Sequence, residues 1–278
     1  AQSLNGHHFC HMPDVSAEEK QSLVAVPAVE ATEQPRRGQQ VYREPMKATS
    51  SVTEGEWEEI LEIAREVMTS TDGLRESLRS RQRLVFWRLR GSAELVGVCT
   101  VDIIVETFAG HNALCIFAGS LYLKTKVRGH NLIQTLGLTC WLESLRYPLH
   151  RKFFFFSSNS FKSYLMGVRN FPTVYPSREH DNIPAWELSY LKHVAEIFYP
   201  KYSAAADVED TLILPAHGGR AFKEFQNVEL PDDADLRYFV RRNPGFADGD
   251  RLMVLVPLSV CGMLQMVRRA VARRCGCR

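Results

Sequence analysis

The sequence has no surplus charge of either sign. Its 34 Lys and Arg stand against 32 Asp and Glu, a net charge of +2. No global field draws it to nucleic acid, which is not expected among its partners. Long apolar runs are scarce too. Leu252 to Val267 is free of charge for 16 residues, short of the roughly 20 that span a bilayer, and Pro257 and Gly262 interrupt it. The first residues lack the continuous apolar stretch of a secretory signal, and no internal repeat of useful length appears. The seven cysteines are odd in number and lack zinc-ribbon spacing. Cys99, Cys115 and Cys140 sit in apolar runs, which predicts buried thiols in a reducing, cytoplasmic compartment rather than a disulfide framework.

What is present suffices for a large core, with 278 residues that are 45% hydrophobic and 24% charged. Residues 1–50 are the exception. They carry Pro13, Pro27, Pro35 and Pro45 and two aromatics, Phe9 and Tyr42, which predicts a polar extension that is flexible or draped over the rest. His7, His8, Cys10 and His11 have metal-ligand types, but two further ligands at suitable spacing are missing, so no metal is expected.

Regular structure is expected from Thr53, which with Glu56 makes a capping box before the periodic Trp57, Ile60, Leu61, Ala64, Val67 and Met68. A short helix after Asp72-Gly73, a strand from Leu84, a long strand over 94–107, or two broken by a bend, and another over 114–123 make an antiparallel meander. The run 131–145 is apolar on nearly every side and predicts a helix buried on more than one face. The following 153–156, four phenylalanines, predicts a strand covered on both sides and parallel to its predecessor. Helices are expected over 161–168 and, with Pro184 as a start signal, over 181–199. The 252–258 segment reads as a buried strand. The basic stretch after it, with Arg268, Arg269, Arg273, Arg274 and Arg278, fits either an amphipathic helix or an interfacial membrane segment.

The strand, basic-glycine loop and helix spanning Leu121-Tyr122-Leu123-Lys124-Thr125-Lys126-Val127-Arg128-Gly129-His130-Asn131-Leu132-Ile133 resembles motif A of the GNAT superfamily of acyl-CoA-dependent N-acyltransferases. Phe153 to Phe156, Asn159 and Tyr164 follow in that family's order, so the resemblance covers roughly residues 53–175. It implies a mixed α+β and α/β fold: a central mixed sheet whose two parallel strands splay, helices on both faces, and a C-terminal α/β extension. The expected division is an extension at 1–50, a GNAT-like core at 51–180, and a C-terminal region at 181–278 that completes the acceptor side and ends in the basic segment. Pantetheine would lie along the first parallel strand at Leu121 and Leu123. The pyrophosphate would meet the helix N-terminus at Val127, Arg128, Gly129, His130 and Asn131, because free backbone N–H groups and the helix dipole bind anions there. Lys124 and Lys126 would add to that field, and Asn159 would face the ligand from the end of the second strand. Two positions depart from the motif. Its small residues fall on Asn131 and Ile133, and the branched Ile133 replaces Gly or Ala where the backbone must approach closely. That change counts against ordinary acetyl-CoA as the acyl-CoA donor and is compatible with a carrier-protein phosphopantetheine donor or with a fold that has lost catalysis.

The resemblance thus implies an N-acyltransferase that moves an acyl group from a thioester to an amine by direct attack. Its proton donor would be Tyr164, and the candidate bases are Glu106 and His111, the latter with a pKa suited to neutral pH. A small-molecule or peptide amine is the expected acceptor, with Trp186, Tyr190, Phe198, Tyr199 and Tyr202 expected to shape a hydrophobic acceptor pocket or acyl tunnel, and an acyl-carrier protein is a candidate partner. Amino acid, aminoglycoside, polyamine, peptide and protein lysine fit the sequence equally. The rival expectation is an inactive GNAT-like module that docks on a membrane through the C-terminal arginines.

Overall fold

The computed structural model describes residues 40–127, 132–200, 212–216, 221–225, 230–260 and 262–264. The His7–His11 group, the loop 128–131 and the C-terminal arginines lie outside them. Eight described strands form one sheet. They are β1 (Val41–Arg43), β2 (Lys47–Ala48), β3 (Arg83–Leu89), β4 (Leu95–Phe108), β5 (His111–Leu123), β6 (Arg151–Ser158), β7 (Ile213–Leu214) and β8 (Arg251–Pro257). Their order is β1-β3-β4-β5-β6-β8-β7, with β2 also on β3. The meander β3-β4-β5 is antiparallel, β5 and β6 are parallel, and β8 returns antiparallel beside β6. The strand expected at 252–258 therefore extends the same sheet that the N-terminal half begins.

Helices cover both faces. α1 (Glu54–Val67) starts at the expected capping box, in which the Thr53 N–H donates to Glu56 Oε2 at 2.8 Å and the Glu56 N–H to Thr53 Oγ1 at 3.3 Å. With α2 (Leu74–Arg79) it packs on Leu84 and Phe86 of β3, while Val85, Trp87 and Leu89 face α3 (Leu132–Ser144). This alternation is the period-two signature of a strand covered on both sides. α4 (Phe161–Asn170) lies against Phe156 and packs with α6 (Ala234–Arg242). α5 (Ala185–Phe198) lays Phe198 on Phe117, ring centres 4.3 Å apart, and on Phe155 at 5.8 Å.

α3 corrects one expectation. Only Leu136, Cys140 and Ser144 of it are buried, whereas Leu138 and Leu142 are 36% and 53% exposed. An apolar composition without periodicity says that a helix is greasy, not how many neighbours it has. Burial holds the thiols of Cys99, Cys115 and Cys140 above the usual range, Cys140 at about 11, so they remain protonated and unreactive.

Candidate active site

The β5–β6 ladder joins only Ala113–Phe117 to Arg151–Phe155. Beyond it, among the described residues, β5 runs on to Leu123 bonded to β4, and β6 runs on to Ser158 bonded to β8. Two parallel strands thus part, each with its inner backbone edge open. A bulge accentuates the parting. Val98 pairs with Tyr122 and Thr100 with Gly119, so Cys99 faces both Ser120 and Leu121, and Ser120 takes a φ of +48°. One extra residue reverses the alternation. Ile116 faces α3, yet Tyr122, an even number of positions later, faces α1. Gly119 is required here, since a Cβ would stand 2.4 Å from the Phe117 ring.

Three cavities meet in this opening and share Ile133 and Met166 as walls. One, of about 270 Å³, is bordered by Leu121, Leu123, Val127 and Leu132 at the start of α3. A second, of about 110 Å³, passes between Ala118–Tyr122 and Phe156–Asn159 toward α2 and Tyr199. The third is an apolar pouch of about 50 Å³ behind Ala118 and Ile133, closed by Cys140, Trp141 and Phe171. The middle cavity has polar groups on both strands' side. Tyr199 Oη and Ser157 Oγ are hydrogen-bonded at 2.7 Å. The Arg81 side chain is 8% exposed, donates to the Phe198 carbonyl at 2.9 Å, and lies over the Phe117 ring at 4.8 Å. Its carboxylate partner Asp102 is 3.8 Å away; burial pushes the Asp102 pKa up against the opposing pull of the Gln82 N–H and Arg81.

Of the residues singled out by sequence, Leu121, Leu123, Val127 and Asn159 border these cavities. Arg128, Gly129, His130 and Asn131 lie outside the described residues. Lys124 and Lys126 do not offer a free positive field: both are paired with Glu94, at 3.0 and 2.7 Å, and hold its carboxyl below the usual range. Tyr164 is fully buried against Tyr238 and Phe239, with its hydroxyl 3.4 Å from the Pro176 carbonyl, and burial raises its pKa. It borders none of the three cavities. Glu106 sits opposite Ala113 and pairs with His193 at 2.8 Å, while His111 is exposed at the β4–β5 hairpin. From there to the bulge is about 26 Å of strand at roughly 3.3 Å per residue. The structure does not bring Tyr164, Glu106 and His111 together with the cleft.

Sequence reasoning missed Arg81, Met166 and Arg251, all of which border the middle cavity, and it read Tyr199, which borders it too, only as one of several aromatics shaping an acceptor pocket. Arg81 and Arg251 stand beside strand starts, where an arginine ordinarily reads as surface. Tyr199 is one aromatic among many in its segment. The exception is Ile133, flagged as a departure from motif A, which stands where all three cavities meet.

No protein-family model and no curated protein matches the sequence. Solved structures similar to it include Arabidopsis thaliana NAA60 in complex with a bisubstrate analogue, at 13% identity over 49% of this chain and 86% of that one, TM-score 0.34. The NatC complex bound to Gag peptide and CoA is 12% identical over 79% of this chain and 99% of the other, TM-score 0.35. The aminoglycoside 6'-N-acetyltransferase AAC(6')-IG from Acinetobacter haemolyticus is 12% identical over 45% and 88%, TM-score 0.33. Likeness at this level carries no argument about chemistry. The chain's own strand order, its short parallel ladder and the helix joining the two parallel strands make the fold GNAT-like.

Proposed function

We propose that the protein is an N-acyltransferase whose thioester donor lies between the parted strands. The observation that carries this reading is the parting itself: an open β5 edge, bulged at Ser120, facing an open β6 edge across a cavity. A phosphopantetheine arm is an extended chain with two amides. It pairs with such an edge as an added strand would, and its thioester carbonyl meets a main-chain N–H there. The arm of CoA or of a carrier protein would serve equally, with CoA's pyrophosphate at the start of α3. The acceptor nitrogen attacks the thioester carbon, the C–N bond forms and the C–S bond breaks. The nitrogen loses a proton, and the leaving sulfur gains one, supplied in this reading by Tyr199 through its hydrogen bond with Ser157.

Ala118 offers the test. It borders both the middle cavity and the apolar pouch, and Ala118→Phe fills the slot from the strand that forms its floor. CoA binding, read by isothermal titration, is expected to weaken at least tenfold while the variant keeps a native circular-dichroism spectrum. Undiminished CoA affinity would remove the donor from this cleft. Ile133→Ala should join pouch to cleft and shift preference toward longer acyl-CoAs by about tenfold, the worth of roughly two buried methylenes. An unchanged chain-length profile would make Ile133 plain core.

A second reading, a docking scaffold without chemistry, is favoured by the exposed Leu138, Leu142 and Leu145 of the α3 segment. It expects salt-sensitive sedimentation with anionic vesicles and no thiol release from any thioester.

A further inference from the structure

The charged side chains that border the middle cavity are cationic. Two arginines border it, Arg81 from the segment between α2 and β3 and Arg251 from the start of β8, and no aspartate or glutamate does among the described residues. The remaining polar lining is neutral, chiefly Ser77, Ser157, Asn159 and Tyr199. Arg81 has one carboxylate near it, Asp102, at the long distance of 3.8 Å. Arg251 makes no ion pair among the described residues, although it is only half-exposed.

This charge pattern discriminates between amines. A polyamine or aminoglycoside is multiply cationic near neutral pH and would bring positive charge into a lining that has two guanidiniums and no carboxylate among the described residues, Asp102 being buried behind Arg81. An amine beside a carboxylate fits both requirements. The carboxylate is the natural bidentate partner of a guanidinium, and the same guanidiniums disfavour the ammonium form, so the nitrogen is more readily neutral and nucleophilic.

Resting on the acyltransferase reading above, we propose that the acceptor is a small amino carboxylate, an amino acid or a molecule of that chemistry, whose carboxylate is held by Arg251 and Arg81 while its amine points at the β5 bulge. The transfer forms an amide at that nitrogen and releases the donor thiol, the amine's proton leaving as the sulfur is protonated. No other reactant is required.

The test sets amino acids against their own primary amides and against a diamine, with acetyl-CoA and longer acyl-CoAs as donors and thiol release as readout. The acids are expected to exceed their amides in kcat/KM by about 10- to 100-fold, the range for a charge-assisted hydrogen-bonded pair. In Arg251→Gln the ratio of acid to amide should collapse through KM, and Arg251→Lys should restore part of it. Equal use of acid and amide, or preference for the diamine, overturns the proposal while leaving the enzyme reading standing. Should no amine release thiol, the enzyme reading fails. The carboxylate site is then judged by amino-acid binding to the full-length chain in saturation-transfer NMR. Binding that Arg251→Gln weakens upholds the site, and no binding overturns it.

Discussion

Tyr199→Phe is expected to lower turnover about 10²- to 10⁴-fold, the usual worth of a positioned proton donor, with CoA affinity nearly unchanged. The variant removes one oxygen from a ring that is 7% exposed and packed edge-on against Phe117 at 6.1 Å. The packing therefore stays, while the 2.7 Å hydrogen bond to Ser157 in the cavity is removed. Tyr164→Phe is the matched control. Its hydroxyl meets the Pro176 carbonyl in the core, so its loss should cost about 1 kcal/mol of stability and leave turnover intact. Single-turnover thiol release on both variants decides. The reverse pattern, with Tyr164→Phe inactive and Tyr199→Phe active, would return the proton to Tyr164.

Arg81→Met is expected to destabilise the fold by about 3–5 kcal/mol at neutral pH, since it leaves the Asp102 carboxylate buried without its charge partner. The side chains of Asp102 and Arg81 are 5% and 8% exposed. The dependence on pH has a definite sign. Burial raises the Asp102 pKa in the folded chain above its unfolded value, so the folded state binds that proton more tightly. Its stability contribution is greatest below the unfolded pKa and is lost as pH rises through the folded one. Removing Arg81 raises the folded pKa further. The deficit of the variant should therefore shrink as pH falls toward the acid range, provided both proteins remain folded. Urea denaturation of wild type and variant at a series of pH values reads it directly. A deficit constant with pH would mean that Arg81 acts through its stacking on Phe117 and Phe198 rather than through its charge.

Most elements between residues 53 and 199 were written in local pattern, whereas β1, β2 and α6 were not expected from it. Thr53 and Glu56 announce α1, the apolar run from Leu84 announces a strand, and the strand–loop–helix–strand run from 114 to 156 announces a parallel pair. These are short-range properties: capping, periodicity and connection length operate within a few residues of each other in the chain. Motif spacing also carried Leu121, Leu123, Val127 and Asn159 to the cleft, because each is tied to an element whose place in the order was already set.

The acid–base assignment did not follow, and the reason is geometric. Glu106, His111 and Tyr164 have suitable chemistry, but the register of β4 on β5 sends Glu106 and His111 to the far end of the sheet, and the packing of α4 on α6 turns Tyr164 into the core. Arg81, Tyr199 and Arg251 come from three separate segments, the outer two more than half the chain apart, and share one cavity. Composition and spacing along the chain determined most of the elements between residues 53 and 199 and that two strands run parallel. The sheet register, the bulge at Ser120 and the return of β8 beside β6 decided which side chains meet, because convergence in space depends on pairing between distant segments, which no local pattern encodes.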